Sequence, residues 1–265
     1  FFNSDALYLP SLYRDLMVEG NSLEGWNTAP SILFMPDVIL FFLLRALTGD
    51  FIVASFAFGL LQYLAIAGFG IMIFRAAFPE RTFFAPAFML ILLSMFQMVS
   101  IVSHHFIFAS YLFLNGFHTG AFLMALISVW LSLRYLQTAG RKWLVSLYIV
   151  VPLSVASDLL FLVMYPMAFG FSLMFSFFYQ KDKTAKRLLV LIGITGVAGM
   201  LIFWGVRQSG YLHLGRAANV MDFNNILPSF RMLLNQLSEY LSAGDFRSMV
   251  IILAGLSLVG QMVYL

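Results

Sequence analysis

Residues 51–74 read FIVASFAFGLLQYLAIAGFGIMIF, a run without one Asp, Glu, Lys or Arg, in which Gln62 is the main polar interruption. As an α-helix this run extends about 36 Å at 1.5 Å per residue. That exceeds the hydrocarbon thickness of a bilayer, about 30 Å. Its surroundings repeat the pattern. The chain is 62% hydrophobic and only 10% charged, whereas soluble domains carry about 25% charged residues. Further runs of spanning length occupy 83–103, 117–136 and 188–206, and 249–265 begins another. The apolar stretch 143–179 is too long for one span. Asp158 near its middle and Pro166 beyond predict a tight helical hairpin turning near Asp158. Gly193, Gly196 and Gly199 lie at near-helical spacing and predict close helix packing rather than catalysis. The fold class that follows is all-α: a polytopic transmembrane bundle of about six helices over 51–206.

Two shorter elements precede the first span. Leu9, Leu12, Tyr13, Leu16 and Met17 repeat at helical spacing, with Ser11, Arg14, Asp15 and Glu19 opposite. Residues 36–47 are apolar but too short to span and predict a helix at the membrane interface. Residues 1–50 thus form an outer loop with juxtamembrane amphipathic helices, and 207–248 a second loop. In the latter, 228–243 carries Phe230, Leu233, Leu234, Leu237 and Leu241 on one helical face after Pro228. The chain opens without Met and ends in an apolar run, so truncation at both ends is expected. It has no cysteine, which rules out disulfides and thiolate metal sites within it.

Charge assigns the faces. The segments 75–82, 134–143 and 180–187 hold nine of the chain's 15 Lys and Arg and only two of its 12 acids, Glu80 and Asp182. By the positive-inside rule these segments face the cytoplasm. The alternation of spans then places 1–50, 104–116, the turn at Asp158 and 207–248 outside. Three groups of reactive side chains collect there. The first loop holds Asp5, Asp15, Glu19, Glu24, Asp37 and Asp50. His104, His105 and His118 flank the next outer connection. Arg207, His213, Arg216, Asp222 and Arg231 lie in the last loop.

The segments NSDALYLPSLYRDL and APSILFMPDVILFFLLRALTGDF, followed by a span ending in FRAAF, and the order and sidedness of the spans after them, resemble the GT-C superfamily of membrane glycosyltransferases. The chain is similar to the branch containing protein mannosyltransferases and the lipid A aminoarabinose transferase. The resemblance covers most of the chain as architecture and rests on short motifs. It implies an enzyme that takes a sugar from a polyprenyl-phosphate carrier at the outer face of a plasma membrane, a bacterial inner membrane by the same token. It also implies that an acid in the first outer loop, by position Asp5, is the general base toward the acceptor. Asp5→Asn should then fold and lose turnover. A carboxylate in that role can remove the proton of a hydroxyl as it attacks. The departing phosphate calls for cationic partners, for which Arg207, Arg216 and Arg231 are candidates and His213 a weaker one. The family pattern has a second acid in the outer loop after the third span. Residues 104–116 contain none, so that contact falls to His104 or His105, or to Asp158 or Asp37, or the activity is lost.

Each of these residues also has a purely structural reading. Asp5 fits an N-cap, and Asp37 fits the first turn of its own helix. His104 and His105 point about 100° apart on a helix, which argues against one metal using both. Asp158 is costly at membrane depth but reaches water at a turn. The arginines suit lipid headgroups equally well. A divalent cation is compatible with the acids, though no cofactor is required. The partners expected are the lipid-linked sugar and membrane lipid, with no nucleic acid. The competing function is a non-catalytic membrane subunit or scaffold whose outer loops are filled by protein partners. A transporter would need paired intramembrane charges or matched broken helices, and only Asp158 is a candidate.

Overall fold

The computed structural model describes residues 7–24, 26–28, 31–102, 118–209 and 212–214, and scattered positions between 228 and 242. The fold is all-α, and the chain divides into two units, Phe1–Gly215 and Arg216–Leu265. In the second, Pro228, Arg231, Met232, Asn235, Ser238, Glu239 and Ser242 have helical backbone and are exposed. The apolar face expected at Phe230, Leu233, Leu234, Leu237 and Leu241 lies outside the described residues, as does the expected span at 249–265.

In the first unit, α1 (Tyr8–Tyr13) continues through a π-helical turn, Arg14–Val18, and β1 (Trp26–Thr28) follows. A second π-helical turn, Phe34–Val38, leads into α2 (Ile39–Thr48). Then come α3 (Phe51–Ala77), α4 (Ala85–Val102), α5 (Thr119–Thr138), α6 (Arg141–Ser157), α7 (Leu160–Tyr179, with a π-helical turn at Val163–Met167) and α8 (Lys183–Gln208). Among the described residues α3, α5, α7 and α8 are four helices long and apolar enough to cross a membrane. At 18 and 17 residues, α4 and α6 sit at the short end of spanning length. Among the described residues the one strand pairing is parallel, β1 with β2 (Leu212–Leu214), in the register Trp26–Leu212, Asn27–His213 and Thr28–Leu214.

The helix ends follow from local chemistry. α2 stops at Gly49, whose left-handed φ of 70° suits glycine. Asp50 then caps α3, accepting from Ile52 N at 2.8 Å and Val53 N at 2.9 Å. Asp182 caps α8 through Thr184 N at 2.7 Å. At α1 the N-cap position falls on Leu7, without a side-chain cap bond. Asp5, and with it the cap expected of it, lies outside the described residues. Asp15 accepts the indole N–H of Trp26 at 2.8 Å. Trp26 meets Tyr8 edge to face, and burial pushes the Tyr8 phenol up to about 12.

Large apolar side chains lie on the outside of the bundle as well as in its core. Phe56, Phe171, Phe178 and Leu201 are exposed on the spanning helices, while Gln62 is buried. Several polar side chains inside the bundle are bonded locally, whereas Ser55 Oγ and Ser154 Oγ are buried with no hydrogen-bond partner among the described residues. Ser128 and Thr195 donate to carbonyls of their own helices, and Ser132 Oγ meets Tyr165 OH at 2.6 Å. An apolar exterior around an apolar core suits helices that cross a bilayer, where polar side chains gain from partners inside the bundle.

Helices α3 and α5 run side by side in the same direction. Phe69 meets Trp130, and Gln137 Nε2 donates to Ala76 O at 2.8 Å where both helices end. α6 and α8 are also parallel and form the most extensive helix pair. The expected turn at Asp158 is where α6 ends, but the two limbs do not form a tight hairpin. α6 packs along α5 and α8, and meets the start of α7 near the turn. Beside α6, Gly199 is the close-contact glycine: a Cβ there would lie 2.5 Å from Val155 Cβ and 2.7 Å from Pro152 O. Gly196 has ordinary room, with Leu162 Cδ2 at 3.8 Å, and Gly193 faces open space. Of the three spaced glycines, one serves the contact that the pattern assigned to all.

Candidate active site at one end of the bundle

α6 ends because Asp158 leaves helical conformation (φ −150°, ψ 116°). Its carboxylate then starts the next helix, Oδ1 accepting from Leu160 N at 3.0 Å. The same Oδ1 accepts from Ser31 Oγ at 3.1 Å. Oδ2 faces His118 Nδ1 at 2.5 Å. Asp158 is 2% exposed, so a buried carboxylate has partners on both oxygens, as burial demands. It is a helix cap and the centre of a polar network at once.

The segment before α2 reaches the same place by backbone contacts. Leu33 N donates to Ser157 O at 3.1 Å. Met35 N donates to Ser157 Oγ at 2.9 Å, and that hydroxyl donates back to Met35 O at 2.9 Å. Leu33 adopts the left-handed conformation, φ 57°, uncommon for a residue with a branched side chain. The turn that follows carries Asp37 inward. Asp37 lies in the first turn of its own helical segment, as expected. Yet it is 1% exposed, with its carboxylate pressed against Gly120 in the first turn of α5. Any Cβ at Gly120 would overlap that carboxylate. The position also places a negative charge at the positive end of the α5 dipole.

His118 occupies the N-cap position of α5 and makes no side-chain cap bond there. Its ring turns to Asp158, and its side chain is 57% exposed against 3% for Asp158. The hydrogen bond that His118 donates to Asp158 raises its pKa, partial burial opposes this, and the charges of Asp158 and Asp37 add to the rise. A raised pKa in the folded state stabilises the fold most below about pH 6.5, the unfolded value. That contribution is lost as pH rises through the folded value. Thermal unfolding of the solubilised protein should therefore show a midpoint falling with pH above about 6.5. His118→Gln should remove that slope, and an unchanged slope would mean the pair carries no linked proton.

Ser31, Asp37, His118, Ser157 and Asp158 thus converge from three separate parts of the chain. The two acids named from sequence, Asp37 and Asp158, come together around one imidazole. His118 was visible as one of the outer-face histidines, but nothing marked it as the partner of an acid 40 residues on. Asp5, His104, His105 and Arg216 lie outside the described residues, and for His213 only the backbone, in β2, is described. Arg207 is exposed in the last turn of α8. Because α8 runs parallel to α6, Arg207 stands at the same end of the bundle as Asp158. Arg231 is exposed on helical backbone in the second unit. Among the described residues no three His, Asp or Glu side chains are arranged to hold a metal ion.

The opposite end is basic. Arg134 and Lys142 both lie over the Trp143 ring, at 5.6 and 4.7 Å from its centroid. Arg75 ends α3 there, beside the Gln137–Ala76 contact. One end of the bundle therefore gathers acids and a histidine, and the other gathers Lys and Arg around an aromatic ring. No family model matches the chain, and no curated protein or solved structure matches it either.

Proposed function

We propose that the chain is an integral membrane glycosyltransferase. It moves a sugar from a polyprenyl-phosphate donor to an acceptor hydroxyl at the non-cytoplasmic face of a plasma membrane, the bacterial inner membrane in the closest form of the reading. The observation that carries this is the convergence of Asp37, Asp158 and His118 at the bundle end opposite the basic one. Glycosyl transfer needs a proton acceptor beside the sugar and cations beside the leaving phosphate. The acid and histidine cluster serves the first need, through the half-exposed imidazole of His118. Arg207, at the same end as the cluster, serves the second. His104 and His105 stand in the loop where the family pattern has its second acid. The resemblance gives the acceptor's proton to Asp5, and the described residues hold a second claimant in His118. The spanning helices leave apolar faces against which a polyprenyl chain can lie.

Native mass spectrometry of the gently solubilised protein tests the reading. A bound polyprenyl phosphate, with or without its sugar, is the expected result, and it should weaken in Arg207→Ala. Retention of bulk phospholipid alone, or of a stoichiometric protein partner, would favour the scaffold.

A further inference from the structure

We infer that His118 is the group that takes the proton of the attacking hydroxyl, with Asp158 as its positioning residue. This rests on the transferase reading and departs from it in naming the base. The geometry is that of a held imidazole. Nδ1 is committed to a carboxylate at 2.5 Å, and that carboxylate is itself fixed by Ser31 Oγ and Leu160 N. The ring therefore cannot turn without breaking a buried network. With Nδ1–H donated to Asp158, the tautomer is set and Nε2 carries the free lone pair. The side chain is 57% exposed, so that nitrogen is within reach of a molecule from outside the bundle. A carboxylate behind an imidazole also stabilises the imidazolium that forms when the proton arrives. Asp37, from the turn before α2, also acts on the ring, and among the described residues it and Asp158 are the acids that do.

The cluster's charge favours this role over anion binding. Two acidic side chains act on the imidazole and none of the described cations does, an arrangement suited to drawing a proton from a hydroxyl rather than to holding an anion. The step balances as follows. The acceptor oxygen forms a bond to C1 of the sugar while the bond from C1 to the phosphate oxygen breaks. That bond's electron pair leaves with the polyprenyl phosphate. The acceptor's proton moves to His118 Nε2 and passes to water after the product departs.

The base must be unprotonated, so the rate should rise with pH as His118 loses its proton. The direction of its pKa shift places this limb above the ordinary histidine range near 6.5. The test uses the full-length protein in proteoliposomes. The probes are radiolabelled polyprenyl-phosphate mannose, glucose and 4-amino-4-deoxyarabinose, with water and glycerol as minimal acceptors. His118→Gln should lower kcat by about 100- to 10,000-fold, leave KM for the donor lipid nearly unchanged, and abolish the limb. Asp158→Asn should retain part of the rate and move the limb to lower pH. Glu80→Gln, exposed at the opposite end of the bundle, should keep the limb.

If His118→Gln keeps the limb, or Asp5→Asn alone removes it, the inference is overturned while the transferase reading stands. If the wild-type protein transfers none of the three sugars and binds no polyprenyl phosphate, the reading itself falls and the proton role with it. Should the His118 variant misfold, diethylpyrocarbonate applied to the wild-type protein replaces it. Turnover should fall in step with modification of the His118 peptide and return with hydroxylamine. Full modification with full turnover would overturn the assignment.

Discussion

Replacing Gly199 with alanine destabilises the bundle, and replacing Gly193 with alanine does not. The two positions are six residues apart on one helix and alike in sequence. At Gly199 the added methyl meets Val155 Cβ at 2.5 Å and Pro152 O at 2.7 Å. One of these is backbone and the other is bonded directly to it, so neither yields by a rotamer change. α6 and α8 must separate, at about 1–3 kcal/mol or more for overpacking of this kind. For a chain of this size that is about 2–12 °C in the unfolding midpoint. At Gly193 nothing lies within 4 Å. The change there removes a flexible residue from a helix and gains up to about 1 kcal/mol. Thermal unfolding of both variants in one detergent decides the matter. Equal midpoints would mean that α6 and α8 do not approach as described.

Asp158→Ala has the second large effect. It strips the acceptor from His118, Ser31 and Leu160 N together. Hydrogen bonds to a charged group contribute about 1.5–3 kcal/mol each when measured by deletion. They act here as one network, so their losses are not additive. Asp158→Asn should fall between wild type and alanine, since its amide oxygen can still accept from Leu160 N and Ser31. The loss should be local as well as global. Amide exchange at Leu33 and Met35 should accelerate in the alanine variant, because their acceptor, Ser157, adjoins the altered turn. Equal stability of all three proteins would show that the network contributes nothing to the fold.

The spans and the turn at Asp158 were legible in the sequence because hydrophobic length and an isolated acid decide them. A short helix at 36–47 was legible for the same reason and appears as α2 with its preceding turn. Which glycine packs was not legible. Spacing gives a helix face, but only the neighbour's position tells whether that face meets Val155 or open space. The site was half legible. Asp37 and Asp158 stood out as acids in apolar surroundings. Their meeting with His118 did not, because it joins residues whose separation carries no periodic signal. The exchange between Ser157 and Met35 was illegible too, since a serine at the end of an apolar helix resembles any other. The β1–β2 pairing was missed because three-residue strands are too short for an alternating pattern to register.

The contacts that hold residues 31–37 bear on the order of biosynthesis. Ser31 binds a carboxylate 127 residues later, and Met35 a hydroxyl 122 residues later. At ribosomal rates of about 5–20 residues per second, the partners emerge roughly 6–25 s after the segment that needs them. During that interval α3 can already stand in the bilayer while the loop before it has nothing to dock on. Nascent chains arrested shortly after residue 140 should therefore leave 31–38 open to added protease, and chains arrested well past the emergence of α7 should not.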